Sequence, residues 1–292
     1  MLRKLAELLQ RAIIAMHLLI KFNKEPYGKV STIFKYVFSG KYYPEKKYVR
    51  VDDELSISKV DNASILHFND MNIYYDKDWS SDKIIQNFNA IYNEQTSDSP
   101  HKYLSGDEIG QDWVIYDFGP AEGYQSKLWI KRAKHIYLFE PDVDFYHSLL
   151  QTFKIEIENK KVTVFNVGVS NENKDFQVGN KIFKLYTLDF IVKEFNLLLP
   201  NYIKVDIEGE EMKFLSSSIG VLKRETLKVM QITVYHRPED YIVIETFLKP
   251  FFKRFKYNDG VVFFNRDGMV SGSYKKVFHP VIRKSLLTCS NI

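Results

Sequence analysis

The chain has 292 residues, enough for one large domain or one domain with a substantial extension. Its 45% hydrophobic and 27% charged residues describe an ordinary globular protein, and a single cysteine, Cys289, excludes an internal disulfide and favours a reducing compartment. The net charge of +4 is uneven: residues 1–50 carry 11 Lys/Arg against 3 Asp/Glu, and Lys275, Lys276, Arg283 and Lys284 crowd the last 25 residues without an acid. Solvated basic termini are the plainer account; peripheral attraction to a phospholipid surface or a charged glycan is the sharper one. No stretch reaches the ~18 consecutive apolar residues of a membrane span. Ala12–Ile20 is too short, carries His17, and precedes no small-residue cleavage site. The expectation is a cytoplasmic protein, membrane-peripheral at most.

Leu2, Leu5, Leu8, Leu9, Ala12, Ile13, Met16, Leu19 and Ile20 recur at helical spacing and predict an amphipathic helix over 2–22. Its second half is apolar nearly all round, which suits packing on the rest of the protein or on a second copy in a homodimer. Docking at a membrane interface is the alternative. Further on, "ILHFNDMNIYYD" predicts a strand or hairpin, "DKIIQNFNAIYNEQ" a helix, and the turn formers of "TSDSPHKYLSGDEIGQDW" a loop.

From Trp113 strands and helices alternate. The predicted order is the strand "WVIYDFG", a helix over 123–133, the strand "HIYLFEP", a helix over 144–153, the strand "KVTVFNVGV", the helix "LDFIVKEFN", the strand "NYIKVDIEG", a helix over 210–217, the strand "LKVMQITVYH" and a helix over 239–248. Alternation of this kind predicts an α/β fold with a mostly parallel sheet covered on both faces. "FFKRFKYNDGVVFFN" adds an antiparallel hairpin about Asn258-Asp259-Gly260. The expected organisation is an N-terminal extension over 1–94, an α/β domain over 95–268 and a basic tail over 269–292.

Three places in this pattern carry chemistry. After the first strand, Asp117 precedes a G-x-x-x-G turn, Gly119 to Gly123, that opens a helix. Glycines let backbone approach a ligand closely, and Asp117 is placed to orient the turn and the ammonium end of a cofactor. Dinucleotide sites use G-x-G-x-x-G to seat a pyrophosphate, so this spacing disfavours a nicotinamide enzyme. Glu140 ends the next strand and Pro141 stops further pairing there. An acid at that point accepts hydrogen bonds from both hydroxyls of an adenosine ribose; an exposed strand-end glutamate is the plainer alternative. Finally, "YIKVDIEGEEMKFL" puts Asp206 and Glu208 at the carboxyl end of a central strand, where α/β sheets bind ligands. They are candidates to accept the proton of a nucleophile or to position a hydroxyl, while Glu210 suits the start of the next helix. His236, after "MQITVY", falls on the same edge as a candidate general base or a simple turn histidine. His17, His67, His135, His147 and His279 have no such placement. No His/Cys spacing supports a metal, and no module or internal basic patch supports nucleic-acid binding.

The ordered blocks "VIYDFGPAEGYQSKL", "IYLFEPD", "NVGVS", "YTLDF", "IKVDIEGEEMKFL" and "QITVYHRPED" resemble the FkbM family of S-adenosylmethionine-dependent methyltransferases over about residues 99–248. The resemblance implies a class I, Rossmann-like methyltransferase fold. It maps cofactor binding onto Gly119, Gly123 and Glu140; together with the reading of the residues above, the expected cofactor set is Asp117, Gly119, Ala121, Gly123, Glu140, Pro141, Asn166, Val167 and Asp206, and the catalytic candidates are Asp206, His236 and Glu208. The family's K-x-D-x-E-G-x-E block matches Lys204, Asp206, Glu208, Gly209 and Glu211. Two positions depart from it: Thr233 stands where the family has glutamate, and Pro120 where alanine is usual. Family members mostly O-methylate sugars, glycans or natural-product hydroxyls, so the implied acceptor is a small molecule or a glycan, free or lipid-linked. Loss of the family glutamate keeps an alternative open, a non-catalytic scaffold in glycan assembly.

Overall fold

A computed structural model describes residues 49–97, 99–259, 262–263 and 282–292. The helix expected over 2–22, His17, His279 and most of the basic ends lie outside the described residues.

The first element is a three-stranded antiparallel meander, β1 (Leu55–Val60), β2 (Ala63–Phe68) and β3 (Met71–Asp76). It is followed by α1 (Ser81–Glu94), whose first turn is capped by the Ser80 hydroxyl accepting from Lys83 N–H. Ile84 and Phe88 on one helix face meet Leu66, Phe68, Ile73 and Tyr75 from the meander, and Tyr124 joins them from the domain that follows. The extension is therefore packed on the domain and is not a detached module. Residues 95–97 and 99–112 form no helix or strand, as their turn formers imply.

The α/β part follows the predicted order: β4 (Trp113–Phe118), α2 (Tyr124–Trp129), β5 (Ala133–Phe139), α3 (Val143–Thr152), α4 (Lys154–Glu158), β6 (Val162–Phe165), β7 (Gly168–Val169), β8 (Lys174–Val178), β9 (Lys181–Tyr186), α5 (Leu188–Glu194), β10 (Tyr202–Val205), α6 (Glu211–Ser216), α7 (Ile219–Leu222), β11 (Val229–Thr233), α8 (Asp240–Leu248), β12 (Arg254–Tyr257), β13 (Val262–Phe263), β14 (Ile282–Arg283) and β15 (Leu286–Ser290). Seven strands make one sheet in the order β12-β15-β11-β10-β4-β5-β6, with β15 antiparallel to both its neighbours. Along β4, Val114, Tyr116 and Phe118 enter one core while Ile115 enters the other. Burial on both faces is why the strand reads as a continuous apolar run. Phe118 stacks on Phe139 with ring centroids 4.4 Å apart, a pair worth about 1 kcal/mol beyond its buried area.

Three expectations need correction. The tight hairpin about Asn258-Asp259-Gly260 does not form: β12 pairs with β15, and β13 with β14. Residues 286–290 are consequently no tail but the strand that fills the gap between β11 and β12, burying Leu286, Leu287 and Cys289. The turn formers mark the end of β12 but could not show that its partner strand arrives later. "KVTVFNVGV" is also not one strand. It breaks after Phe165, where Asn166 donates to the carbonyls of Glu140 and Pro141, and resumes as β7 in a small β7-β9-β8 sheet. Removing residues 286–292 should therefore abolish the cooperative unfolding transition seen by circular dichroism; a truncated chain that melts like the full one would show the strand to be dispensable.

Candidate active site

The carboxyl ends of β4, β5, β10 and β11 assemble the site. In the β4–β10 register Asp117 lies beside Lys204, and both side chains are buried. Lys204 Nζ is 3.0 Å from Asp117 Oδ1 and donates to the carbonyls of Phe118 (3.3 Å) and Gly119. Asp117 Oδ2 accepts from the Ser126 hydroxyl at 2.7 Å. The carboxylate is thus consumed inside the protein. Through these contacts Asp117 shapes the turn by way of α2 and Lys204.

The turn glycines are demanded by the chain itself. Gly119 has φ +75°, and a Cβ there would lie 1.9 Å from the Asp206 carbonyl oxygen. Gly123, at φ +85°, has its Cβ position filled by Phe153 and Leu149 of the α3 region. Left-handed backbone with no room for a side chain explains the G-x-x-x-G spacing, and Ala121 shares the left-handed conformation at φ 49°. The turn is thereby pressed onto the end of β10, next to Asp206.

Glu140 ends β5 in a buried position. Its Oε1 accepts from the Asp142 backbone N–H at 2.8 Å, and burial pushes its pKa up to about 7 against that hydrogen bond. Glu122, in the turn, is likewise pushed to about 7 by burial. Asn166, expected to touch the cofactor, spends its amide on the Glu140 and Pro141 carbonyls and so holds the β5 edge in place. Pro141 and Val167 are structural neighbours of that edge: Pro141 packs against Gly168, and Val167 is in the core.

Asp206, His236 and Glu211 converge. The His236 Nδ1–H faces Glu211 Oε1 at 2.8 Å, with both side chains buried. Nε2 then lies 3.6 Å from Asp206 Oδ1 and 3.8 Å from the exposed Glu208. Thr233 Oγ1 sits within 3.2 Å of Glu211 Oε1 and 3.4 Å of Asp206 Oδ1. A hydroxyl at this position donates to carboxylates that a glutamate would repel, which is the physical consequence of that departure. Burial opposes a charge on His236, but the Glu211 hydrogen bond, with Asp206 and Glu208, outweighs it and raises the imidazole pKa. Burial would raise Asp206 too, yet hydrogen bonding and charge from His101, then Lys204 and His236, hold it well below the usual carboxylate range. A carboxylate so held is a poor base, which favours Asp206 as a fixed anion over Asp206 as the base. Asp206, Glu211 and His236 present ligand atoms within 4.8 Å of one another; the sequence hid this because the histidine arrives from another strand. The Nδ1–Oε1 separation is that of a hydrogen bond, and we assign no metal to the trio.

Two residues were missed altogether. His101 and Tyr103, from the loop before β4, both reach Asp206 Oδ2: Tyr103 donates its hydroxyl at 3.0 Å and His101 Nε2 lies at 3.4 Å. No spacing rule links them to a strand 100 residues later.

The buried Lys204–Asp117 pair should be strongly destabilising to break one-sidedly, because an unpaired buried charge costs about 3–5 kcal/mol. Lys204→Met should lose that much in urea denaturation, and adding Asp117→Leu should recover most of it; equal losses in single and double variants would show no coupling.

Residues 125–268 match the methyltransferase FkbM domain model, and no curated protein matches the chain. Among solved structures, methyltransferase FkbM from Methylobacillus flagellatus KT is 16% identical with a TM-score of 0.47, over 72% of this chain and 55% of that one. This chain thus spans about half the length of that protein. M. jannaschii TYW2 in complex with AdoMet is 13% identical with a TM-score of 0.42, covering 80% and 87% of the two chains. A putative methyltransferase from Streptococcus mutans in complex with SAH is 11% identical with a TM-score of 0.38, covering 63% and 92%. Over residues 125–268, just under half of its length, the chain resembles the methyltransferase FkbM domain.

Proposed function

We propose that the chain is an S-adenosylmethionine-dependent O-methyltransferase that acts on a hydroxyl of a sugar, glycan or related small molecule. The observation that carries this reading is the Glu211–His236 pair, whose Nε2 lies 3.6 Å from Asp206 Oδ1 on the carboxyl edge of the sheet. A buried carboxylate on Nδ1 fixes the tautomer that leaves Nε2 as the basic nitrogen.

The donor set fits the cofactor. Glu140 offers a carboxylate oxygen beside the one held by Asp142 N–H, suited to ribose hydroxyls. The acids of this edge, Glu140, Asp206 and Glu208, suit a cationic ligand. When bound, S-adenosylmethionine supplies an electrophilic methyl carbon on a sulfonium leaving group. The rest falls to the protein. Glu140 and the Gly119–Gly123 turn orient, and alignment contributes most where the leaving group is already good. His236 takes the acceptor hydroxyl proton at Nε2 while Glu211 stabilises the imidazolium. Asp206 stays ionised and faces it. No helix among the described residues is long and apolar enough to cross a membrane, so contact with a lipid-linked acceptor falls to the basic termini, where a homodimer contact through the N-terminal segment also belongs.

Cofactor binding should be lost in Glu140→Ala when S-adenosylmethionine is titrated calorimetrically; unchanged affinity removes Glu140 from the ribose role. No binding by the unaltered chain would favour the scaffold alternative. Ribose hydroxyls favour the ionised carboxylate, whereas free Glu140 holds its proton up to about pH 7. Affinity should therefore rise roughly tenfold from pH 6 to pH 8, with proton release on binding. This slope should vanish in Glu140→Gln; a slope that persists there belongs to another group. His236→Ala should lower transfer to an acceptor found by mass spectrometry of glycans and lipid-linked saccharides by about 10²–10⁴ while cofactor affinity stays near normal. A full rate in that variant would end the general-base role.

A further inference from the structure

The segment before β4 is stitched onto the active edge by side chains of the domain. Leu104 N–H donates to Gln231 of β11 at 2.8 Å, and the Leu104 carbonyl accepts from Gln125 and Trp129 of α2 at 2.9 and 2.7 Å. Asn258, after β12, donates to the Lys102 carbonyl at 2.7 Å. At the other end, Tyr103 N–H donates to Gln95 and His101 N–H to Ser99. Anchors from three separate elements hold residues 101–104 in one place, outside the part that matches the family domain.

Within this segment His101 is almost fully buried. Its Nδ1 faces Glu94, the last residue of α1, at 3.5 Å, and its Nε2 faces Asp206 at 3.4 Å. Tyr103 and Tyr235 stand edge-on to the ring, with centroids 5.2 and 5.5 Å away. On the far side of Asp206 stands His236, backed by Glu211. Acid and imidazole therefore alternate through five residues: Glu94, His101, Asp206, His236, Glu211. A half-buried carboxylate between two histidines can be paired with a cation on either side, and which side holds it decides what the other can do.

We propose that His101 is a positioning residue of this site, a cationic clamp on Asp206 Oδ2 that turns Oδ1 toward His236 and leaves His236 as the group that exchanges a proton. The proposal rests on the methyl-transfer reading given above, but its test does not. Against burial, Glu94 and Asp206 together hold the His101 pKa up, to about 10. His236 is faced by Asp206, Glu208, Glu211 and, more distantly, Asp240 of α8, while Arg283 donates to the Tyr235 and His236 carbonyls. A charge on His101 would be a like charge across Asp206 from His236 and would oppose any further rise there.

The test uses the whole chain with ¹⁵N-labelled histidine and follows the ring nitrogens by NMR against pH, without cofactor or acceptor. In the unaltered protein His101 should stay doubly protonated at pH 8 while His236 titrates below it; a neutral His101 ring at pH 7 overturns the proposal. In His101→Gln, loss of the like charge should move the His236 midpoint to higher pH by about one unit. A midpoint that stays put or falls also overturns it, since a residue serving only to pack the loop would leave that titration unmoved. Absence of cofactor binding in the unaltered chain would instead sink the methyl-transfer reading and leave the histidine titrations standing.

Discussion

Lys204 holds the centre of this molecule together. Its ammonium is buried between two strands, balanced by Asp117, and it fastens the carbonyls of Phe118 and Gly119, the two residues at which β4 turns away from the sheet. Desolvating an ammonium is expensive unless geometry supplies both a counter-charge and further acceptors. Here the register of β4 against β10 supplies the first and the turn supplies the second. With that cation in place, Gly119 rests against the Asp206 carbonyl, and Asp206 is delivered to the edge where the histidines meet it. The positions of turn, β10 end and Asp206 are thus one arrangement with a single electrostatic origin.

The sequence disclosed what is local. Alternating strands and helices from Trp113, the glycine turn, Glu140 at a strand end and the acidic block after Lys204 all depend on neighbours within a few residues, and the structure sets them on one edge. The sequence was silent on pairings between distant segments. β15 finding its place between β11 and β12 depends on strands far apart in the chain, so the Asn-Asp-Gly reversal pointed to the wrong partner. His101 and Tyr103 sit in a stretch whose composition says loop, and nothing in a loop's composition reveals that it is tied down by Gln125, Trp129, Gln231 and Asn258. Asp117 and Asn166 make contacts that hold backbone in place, and pattern alone cannot distinguish a side chain that faces a ligand from one that holds the backbone beside it.

This bears on where the site ends. The matched domain, residues 125–268, contains Glu140, Asp206, Glu211 and His236 but neither His101 nor Tyr103, nor the Gly119 turn and Asp117. The electrostatics of Asp206 are completed by groups contributed before that domain begins. The meander and α1 seat Glu94 against His101, so the extension takes part in setting charge at the edge as well as in covering it.

The late arrival of β15 has a further consequence. β11 lies beside β10 but on its other side awaits residues more than fifty positions further along the chain. Until those residues close the gap, the backbone groups of β11 are an unpaired edge of apolar sequence, Val229 to Thr233, of the kind that recruits other chains. A chain whose β15 has not docked exposes that edge, and crowding among copies is most damaging in that state.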